Sequence, residues 1–299
     1  MQNTDTAPST AQPMLFRAAL WMVGAILAFS SMAIAGRVVR TGLDTFELML
    51  YRSLIGIVLV LIFAGSAGTL RQISHRRLGL HLVRNISHFA GQNLWFFALP
   101  LIPLAQLFAL EFTAPLWVAL LAPIIIAERL TRTRALAAIL GFVGILIIVR
   151  PDTASLNAGT IAAASCAICF AGSALFTKRL TQTETITCIL FWLTFMQAIL
   201  GLGCSFIDGE LTLPQMAHVP WLALIGAAGL AAHFCLTRAL SIAPASVVMP
   251  IDFARLPVIA IVGMLFYDEV LQPEVFVGAA VIFYANSLNL RPKATPRSN

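Results

Sequence analysis

Charge is scarce in this sequence. Only 11% of the 299 residues are Asp, Glu, Lys or Arg, and 59% are hydrophobic. A soluble domain carries about 25% charged residues, so the shortfall places the chain among membrane proteins before any motif is read. Long polar segments are missing as well. The longest connection between apolar runs, "GSAGTLRQISHRRL" at 65–78, is too short for a soluble domain. The net charge of +6 is not a nucleic-acid signal, because the basic residues sit in short loops. Cysteines number five, all inside apolar runs. Cys166 and Cys169 form a CxxC with no second pair or histidine beside it, so they read as small polarizable packing residues and no metal is expected. HExxH, GxSxG and His/carboxylate ligand spacings are absent too, which argues against an enzyme and against a cofactor. Residues 1–16 contain no Lys or Arg, and the apolar run from Met14 to Ala35 is too long for a signal-peptide core. It reads as a retained first span despite the Ala-x-Ala at Ala33–Ala35.

What the chain does have is apolar stretches of membrane length. A bilayer-crossing helix needs roughly 20 residues, and the sequence divides into ten: 15–36, 45–64, 79–99, 103–127, 134–150, 158–178, 185–206, 217–238, 245–267 and 273–290. Without water in the hydrocarbon core, backbone groups must bond within each span, so these are predicted helices. Lys and Arg are divided unequally between the two sides. Fourteen fall on the side of the N-terminus and three (Arg37, Arg40, Arg150) on the other, with Arg52 and Arg255 inside spans. The positive-inside rule then predicts that both termini are cytoplasmic.

The sequence also repeats itself. Residues 98–151 laid over 239–292, at a constant offset of 141, match without a gap. Leu99 meets Leu240, Pro103 meets Pro244, Phe112 meets Phe253, and Glu128 meets Glu269. Arg150-Pro151 meets Arg291-Pro292, and Glu111 falls on Asp252. At the same offset Phe29 falls on Phe170 and Arg37 on Lys178. Each half holds five spans, an odd number, so the two halves cross the membrane in opposite senses. Inverted repeats of this kind are a feature of secondary transporters, with substrate held near the midplane at the repeat interface.

Two segments carry a resemblance to a known family. "APLWVALLAPIIIAERLTRTRALAAILGFVGILIIVRP" and "FARLPVIAIVGMLFYDEVLQPEVFVGAAVIFYANSLN" each run through a Glu into an apolar final span. With two five-helix halves, the chain resembles the EamA domains of the drug/metabolite transporter superfamily from about residue 15 to 291. The resemblance implies an all-α integral membrane fold of ten transmembrane helices, arranged as two inverted five-helix EamA repeats. The expected organisation is a cytoplasmic tail at 1–14, a first repeat at 15–150, a second at 158–291 and a tail at 292–299. Members carry amino acids, nucleotide conjugates, vitamins and other metabolites, so the resemblance does not name a substrate. The small four-helix relatives carry a proton-binding Glu in their first helix. Span 15–36 has no acidic residue here, so that coupling is not carried over.

Polar residues deep in the spans are the candidate site, because a charge at helix centre costs roughly 2.5–3.5 kcal/mol and is kept where it faces a bundle interior or a wet cavity. Asp252 lies ~10 Å and Arg255 ~15 Å into span nine by helical rise, and the two are spaced to pair on one face. Glu111 sits at similar depth from the opposite face. Pro115, Pro250 and Pro257 flank these charges and predict kinks beside a cavity. In span three, Arg84, His88 and Gln92 share one face, with Asn85, Asn93 and Trp95 around it. Arg84 is expected to be a snorkelling anchor, and Arg52 with Glu47 an interfacial pair. Glu128 and Glu269 read as helix-end contacts, and His233 as a lone histidine near Cys235. Trp95, Phe96, Phe97, Phe112 and Phe253 are candidates to stack an aromatic portion of a substrate.

The expected substrate-binding set is therefore His88, Gln92, Asn93, Trp95, Glu111, Phe112, His233, Asp252, Phe253 and Arg255. These residues suit a small polar or zwitterionic organic metabolite, amino-acid or nucleoside-derivative like, moved by alternating access. Protons are the candidate coupling ion, with His88, Glu111 and Asp252 as sites, and a homodimer is the candidate assembly. The expected location is the bacterial inner membrane, in contact with lipid. Rival readings are a membrane-embedded enzyme and a non-transporting helical scaffold.

Overall fold

The computed structural model describes residues 11–39, 42–125, 132–149, 157–206, 211–243, 248, 251–252, 255–270 and 272–290. Among them there is no strand. The helices, in chain order, are α1 (Ala11–Val39), α2 (Thr45–Ser66), α3 (Leu78–Ala98), α4 (Leu104–Glu111), α5 (Ala114–Ile125) and α6 (Arg132–Val149). They continue with α7 (Ala158–Leu180), α8 (Ile186–Cys204), α9 (Val219–Ile242), α10 (Arg255–Tyr267) and α11 (Pro273–Leu290). A short 3₁₀ turn, Leu70–Gln72, lies between α2 and α3. Among the described residues six segments are long and apolar enough to cross a membrane: within α1, α2, α7, α8 and α9, and across α4–α5.

Local chemistry sets the helix ends. Asp44 and Glu47 form a reciprocal capping box at the start of α2, with Glu47 N–H donating to Asp44 Oδ1 at 2.7 Å. This satisfies backbone donors that have no intrahelical acceptor. Asn157 and Thr185 cap α7 and α8 by a single side-chain bond each, accepting from the Thr160 and Cys188 N–H groups. The predicted fourth span is one segment with a break: α4 ends at Glu111 and α5 begins at Ala114. The cause is Pro115, which has no N–H to give the Glu111 carbonyl. In the second half α10 begins at Arg255, the position that the 141-residue offset places on Ala114. Pro250, Phe253 and Glu128 lie outside the described residues.

The inverted repeat governs the packing. α1 lies along α9, and α7, which the repeat equates with α1, lies along α3, the counterpart of α9. The counterparts α2 and α8 pack together, as do α6 and α11. Both halves therefore contribute to every main interface, and the repeats interlock rather than sit side by side. Small residues permit a close crossing of α6 and α11: a Cβ on Gly278 would meet the Gly144 carbonyl at 2.7 Å, and one on Gly144 would meet the Gly278 carbonyl at 2.9 Å. Such backbone approach is the usual basis of helix association in lipid.

One contact repeats with the sequence. Arg37, in the last turn of α1, donates Nε to the Leu99 carbonyl at 3.0 Å. Lys178, its counterpart in the last turn of α7, donates Nζ to the Leu240 carbonyl at 2.9 Å. Leu99 and Leu240 are themselves counterparts. Arg37 also pairs with Glu269, donates to the Ile102 carbonyl at 2.8 Å, and lies 4.7 Å from the centre of the Tyr267 ring. Glu269 in turn accepts from the Leu104 N–H at 2.9 Å. The helix-end contact expected of Glu269 is thus a latch joining the ends of α1, α3 and α10 to the start of α4.

A central cavity as the candidate transport site

Where the two halves meet, α1, α3, α4, α5, α7, α9 and the start of α10 surround a cavity. It is partly open to its surroundings. Eight of the ten predicted site residues line it: His88, Gln92, Trp95, Glu111, Phe112, His233, Asp252 and Arg255. Asn93 is not among the lining residues. Its amide donates back to the Phe89 carbonyl of its own helix at 2.8 Å, because it lies 100° around the helix from Gln92. Phe253 lies outside the described residues.

At one end of the cavity the two symmetry-related carboxylates meet. Arg255, only 2% exposed, donates Nη2 to Glu111 Oε1 at 2.9 Å and pairs through the same nitrogen with Asp252 Oδ2. Trp95 Nε1 donates to the other Glu111 oxygen at 2.7 Å. The guanidinium carbon lies 4.9, 4.6 and 5.4 Å from the ring centres of Phe29, Phe108 and Phe112. A cation over aromatic faces gains from their quadrupoles. The expected local pair Asp252–Arg255 is real but incomplete, since Arg255 bridges both halves of the molecule. Two hydrogen-bonding positions remain there: among the described residues, Asp252 Oδ1 and Arg255 Nε are buried without a hydrogen-bond partner. Buried polar atoms seldom stay unpaired.

Histidines and amides form the middle of the cavity. The His88 and His233 rings meet edge to face, with centres 4.6 Å apart. The symmetry-related phenylalanines flank them, Phe170 at 5.8 Å from His88 and Phe29 at 5.7 Å from His233. The Gln92 amide is assigned with its oxygen towards Arg52 and His88 Nε2 (3.3 Å) and its nitrogen 3.2 Å from Gln197 Oε1. Gln197 donates to the Asn85 carbonyl at 2.9 Å.

Three sequence expectations change. Arg84 does not snorkel: it is 3% exposed, donating Nε to Thr177 Oγ1 at 3.1 Å and Nη1 to Asn85 Oδ1 at 3.1 Å. The face it shares with His88 and Gln92 turns inward, so its stem has no route to the interface. Arg52 does not pair with Glu47. Glu47 is occupied by its cap and by the Thr212 N–H, whereas Arg52 is buried beside Gln92, with Nη1 3.7 Å from Met49 Sδ. Phe97 is 43% exposed and faces away from the cavity, while Phe96 lines it. Sequence reasoning missed Phe29, Phe170, Ser173 and Thr177 as lining residues. The matching of Phe29 with Phe170 at the repeat offset was the available signal. The cysteines are all free, and Cys166 donates to the Ala163 carbonyl of its own helix. Away from the cavity, His81, Glu184 and Cys188 hold ligand-type atoms within 4.8 Å of one another. The Cys188 sulfur there already accepts from the Ser74 N–H at 3.4 Å.

A largely apolar cavity that holds buried charged and polar side chains, set between two interlocked, inverted five-helix halves of a multi-pass membrane protein, defines the class of a solute transporter. The model of the EamA-like transporter family matches residues 16–150 and 157–291, and the chain belongs to that family. A riboflavin transporter of Brucella anthropi is 31% identical over 276 residues, covering 90% of this chain and 97% of the relative. A riboflavin transporter of Vibrio cholerae is 28% identical, covering 88% and 89%. An S-adenosylmethionine uptake transporter of Rickettsia bellii is 23% identical, covering 89% and 90%. A solved crystal structure aligns with a TM-score of 0.65 at 17% identity, over 91% of this chain and 96% of its own, and supports the fold alone. The protein is a small-metabolite transporter and not an enzyme.

Proposed function

We propose that this protein is a secondary transporter of a polar or zwitterionic organic metabolite with a planar aromatic part, carried by alternating access. The observation that carries the reading is the triad of Glu111, Arg255 and Asp252 in an aromatic-walled cavity, with Asp252 Oδ1 and Arg255 Nε unpartnered among the described residues. One guanidinium between two carboxylates leaves a net negative end that suits a cationic or hydrogen-bond-donating group. Riboflavin and S-adenosylmethionine, which name the relatives, both join a planar heteroaromatic ring to a polar chain, and the cavity's phenylalanines and Trp95 suit such a ring. The binding set is His88, Gln92, Trp95, Glu111, Phe112, His233, Asp252 and Arg255. The bias of Lys and Arg supports an inner-membrane orientation with both termini cytoplasmic, so that the ends of α7 and α9 face the cytoplasm. His88, Glu111 and Asp252 are the proton-coupling candidates.

The test is counterflow in proteoliposomes containing the full chain, with riboflavin and S-adenosylmethionine as first solutes. It is joined to a comparison of metabolites in cells and medium between overexpressing and deletion strains. At least one polar ring-bearing solute should exchange in the liposomes and shift reciprocally between cells and medium. No counterflow together with unchanged metabolite pools would overturn the reading.

A further inference from the structure

The two ends of the cavity differ in charge. At the triad end, two carboxylates share one guanidinium. Apart from the triad there are two further buried guanidiniums, Arg84 one turn before His88 on α3 and Arg52 beside Gln92 one turn after it, and among the described residues neither has a carboxylate partner. Their hydrogen-bond partners are neutral: the Thr177 hydroxyl and Asn85 amide for Arg84, and the Gln92 amide for Arg52. Asn85, Gln197 and Gln92 link the two cations in one network of amides. Burying a charge is costly unless an opposite charge compensates it, and in a membrane span such residues mark solute paths. Arg84, Ser173 and Thr177 line the cavity, while Arg52 stands behind Gln92. The missing partner of this cluster is therefore an anion that enters through the cavity.

We propose that Arg84, with Thr177 and Ser173, forms a subsite for an acidic group of the transported solute, a carboxylate or a phosphate, and that the amide network ties it to the second cation, Arg52. The fork of a guanidinium matches either group by paired hydrogen bonds. From Arg84 to Trp95, which holds Glu111, α3 rises about 16 Å. The solute thus places its acid at one end, its ring among the phenylalanines, and a donor or cationic group towards Glu111 and Asp252. The inference rests on the cavity being the transport site and refines it to a solute that carries negative charge.

The experiment follows thermal unfolding of the purified full-length protein by tryptophan fluorescence, titrated with benzoate, phenyl phosphate and neutral benzamide. At least one acid should protect at a concentration at least about tenfold below that needed for benzamide, which is 1.4 kcal/mol of preference. Protection by benzoate or by phenyl phosphate distinguishes a carboxylate from a phosphate site. Arg84→Gln should abolish the preference for the acid over benzamide. Arg84→Lys, which keeps the charge and loses the fork, should weaken the preference without removing it. The comparison of acid with amide is made on the unaltered protein, so a variant that fails to fold does not remove the test. Equal protection by benzamide, no protection by either acid, or an undiminished preference in folded Arg84→Gln would each overturn the proposal. Binding does not require transport. A protein that exchanges solute but ignores both acids defeats only this inference, and one that binds an acid yet moves nothing defeats only the transport reading.

Discussion

Arg255 carries one positive charge and faces Glu111 and Asp252 together, and this changes what a substitution does. If Asp252 and Arg255 formed an isolated pair, neutralising either would strand a buried charge, at about 3–5 kcal/mol. With Glu111 present, Asp252→Asn leaves a neutral Arg255–Glu111 pair that keeps its Trp95 hydrogen bond. It should insert and accumulate near the normal level while transport falls at least about tenfold, the effect of one lost charged contact. Arg255→Gln strands two carboxylates and should lower abundance sharply. The double variant still leaves Glu111 without its cation, so its abundance should be intermediate and transport should stay lost. Quantifying membrane protein beside counterflow checks this order, and recovered transport in the double variant would contradict a solute-binding role.

At the scale of elements, the site depends on interrupted helices. Pro115 ends α4 at Glu111, so the carboxylate leaves a helix terminus rather than an unbroken span and can reach Arg255 in the other half. The opposite strategy holds α6 against α11, where two unbroken helices meet at Gly144 and Gly278 with their carbonyls within 2.9 Å of an added Cβ. Gly278→Leu should force these helices apart and cost about 1–3 kcal/mol, the usual penalty of overpacking. It would be seen as a lower unfolding temperature in detergent. The crossing lies away from the cavity lining, so residual transport per folded molecule should be affected less than in Asp252→Asn. A leucine tolerated without loss of stability would show that the crossing can open.

For the molecule as a whole, the inverted repeat yields two related latches of unequal strength. Arg37 joins α1 to three other segments through Leu99, Ile102, Glu269 and Tyr267, whereas Lys178 makes the Leu240 contact alone among the described contacts. The cavity lining also favours the halves of α7 and α9 that lead to Leu180 and Ile242. Both features fit a state held shut at the Arg37 end. In a cysteine-free background, Gln92→Cys should react slowly with a membrane-impermeant thiol reagent added outside. Adding Arg37→Gln should raise that rate several-fold by removing a charge-assisted hydrogen bond, with fusions after Asn299 reporting cytoplasm to define the sides. An unchanged rate would remove Arg37 from any gating role.

The membrane-length helices, the repeat and eight of the residues that line the cavity could be read from the chain alone. The reason is physical: lipid obliges each span to satisfy its own backbone, so length and composition suffice to find helices, and burying Glu111, Asp252 and Arg255 is too unfavourable to occur by neglect. The i, i+4, i+8 spacing likewise placed Arg84, His88 and Gln92 on one face. Which way that face turns was not in the spacing. An arginine six residues from a helix start can snorkel or point inward, and only the packing of α3 against α7, with Thr177 as acceptor, decided for the interior. The same holds for Arg52, which left Glu47 for Gln92, and for Asn93, a single residue from the cavity face yet turned to its own helix. That Glu111 and Asp252 would share one arginine also required the fold, because the two carboxylates are 141 residues apart and their meeting depends on how the inverted halves interlock.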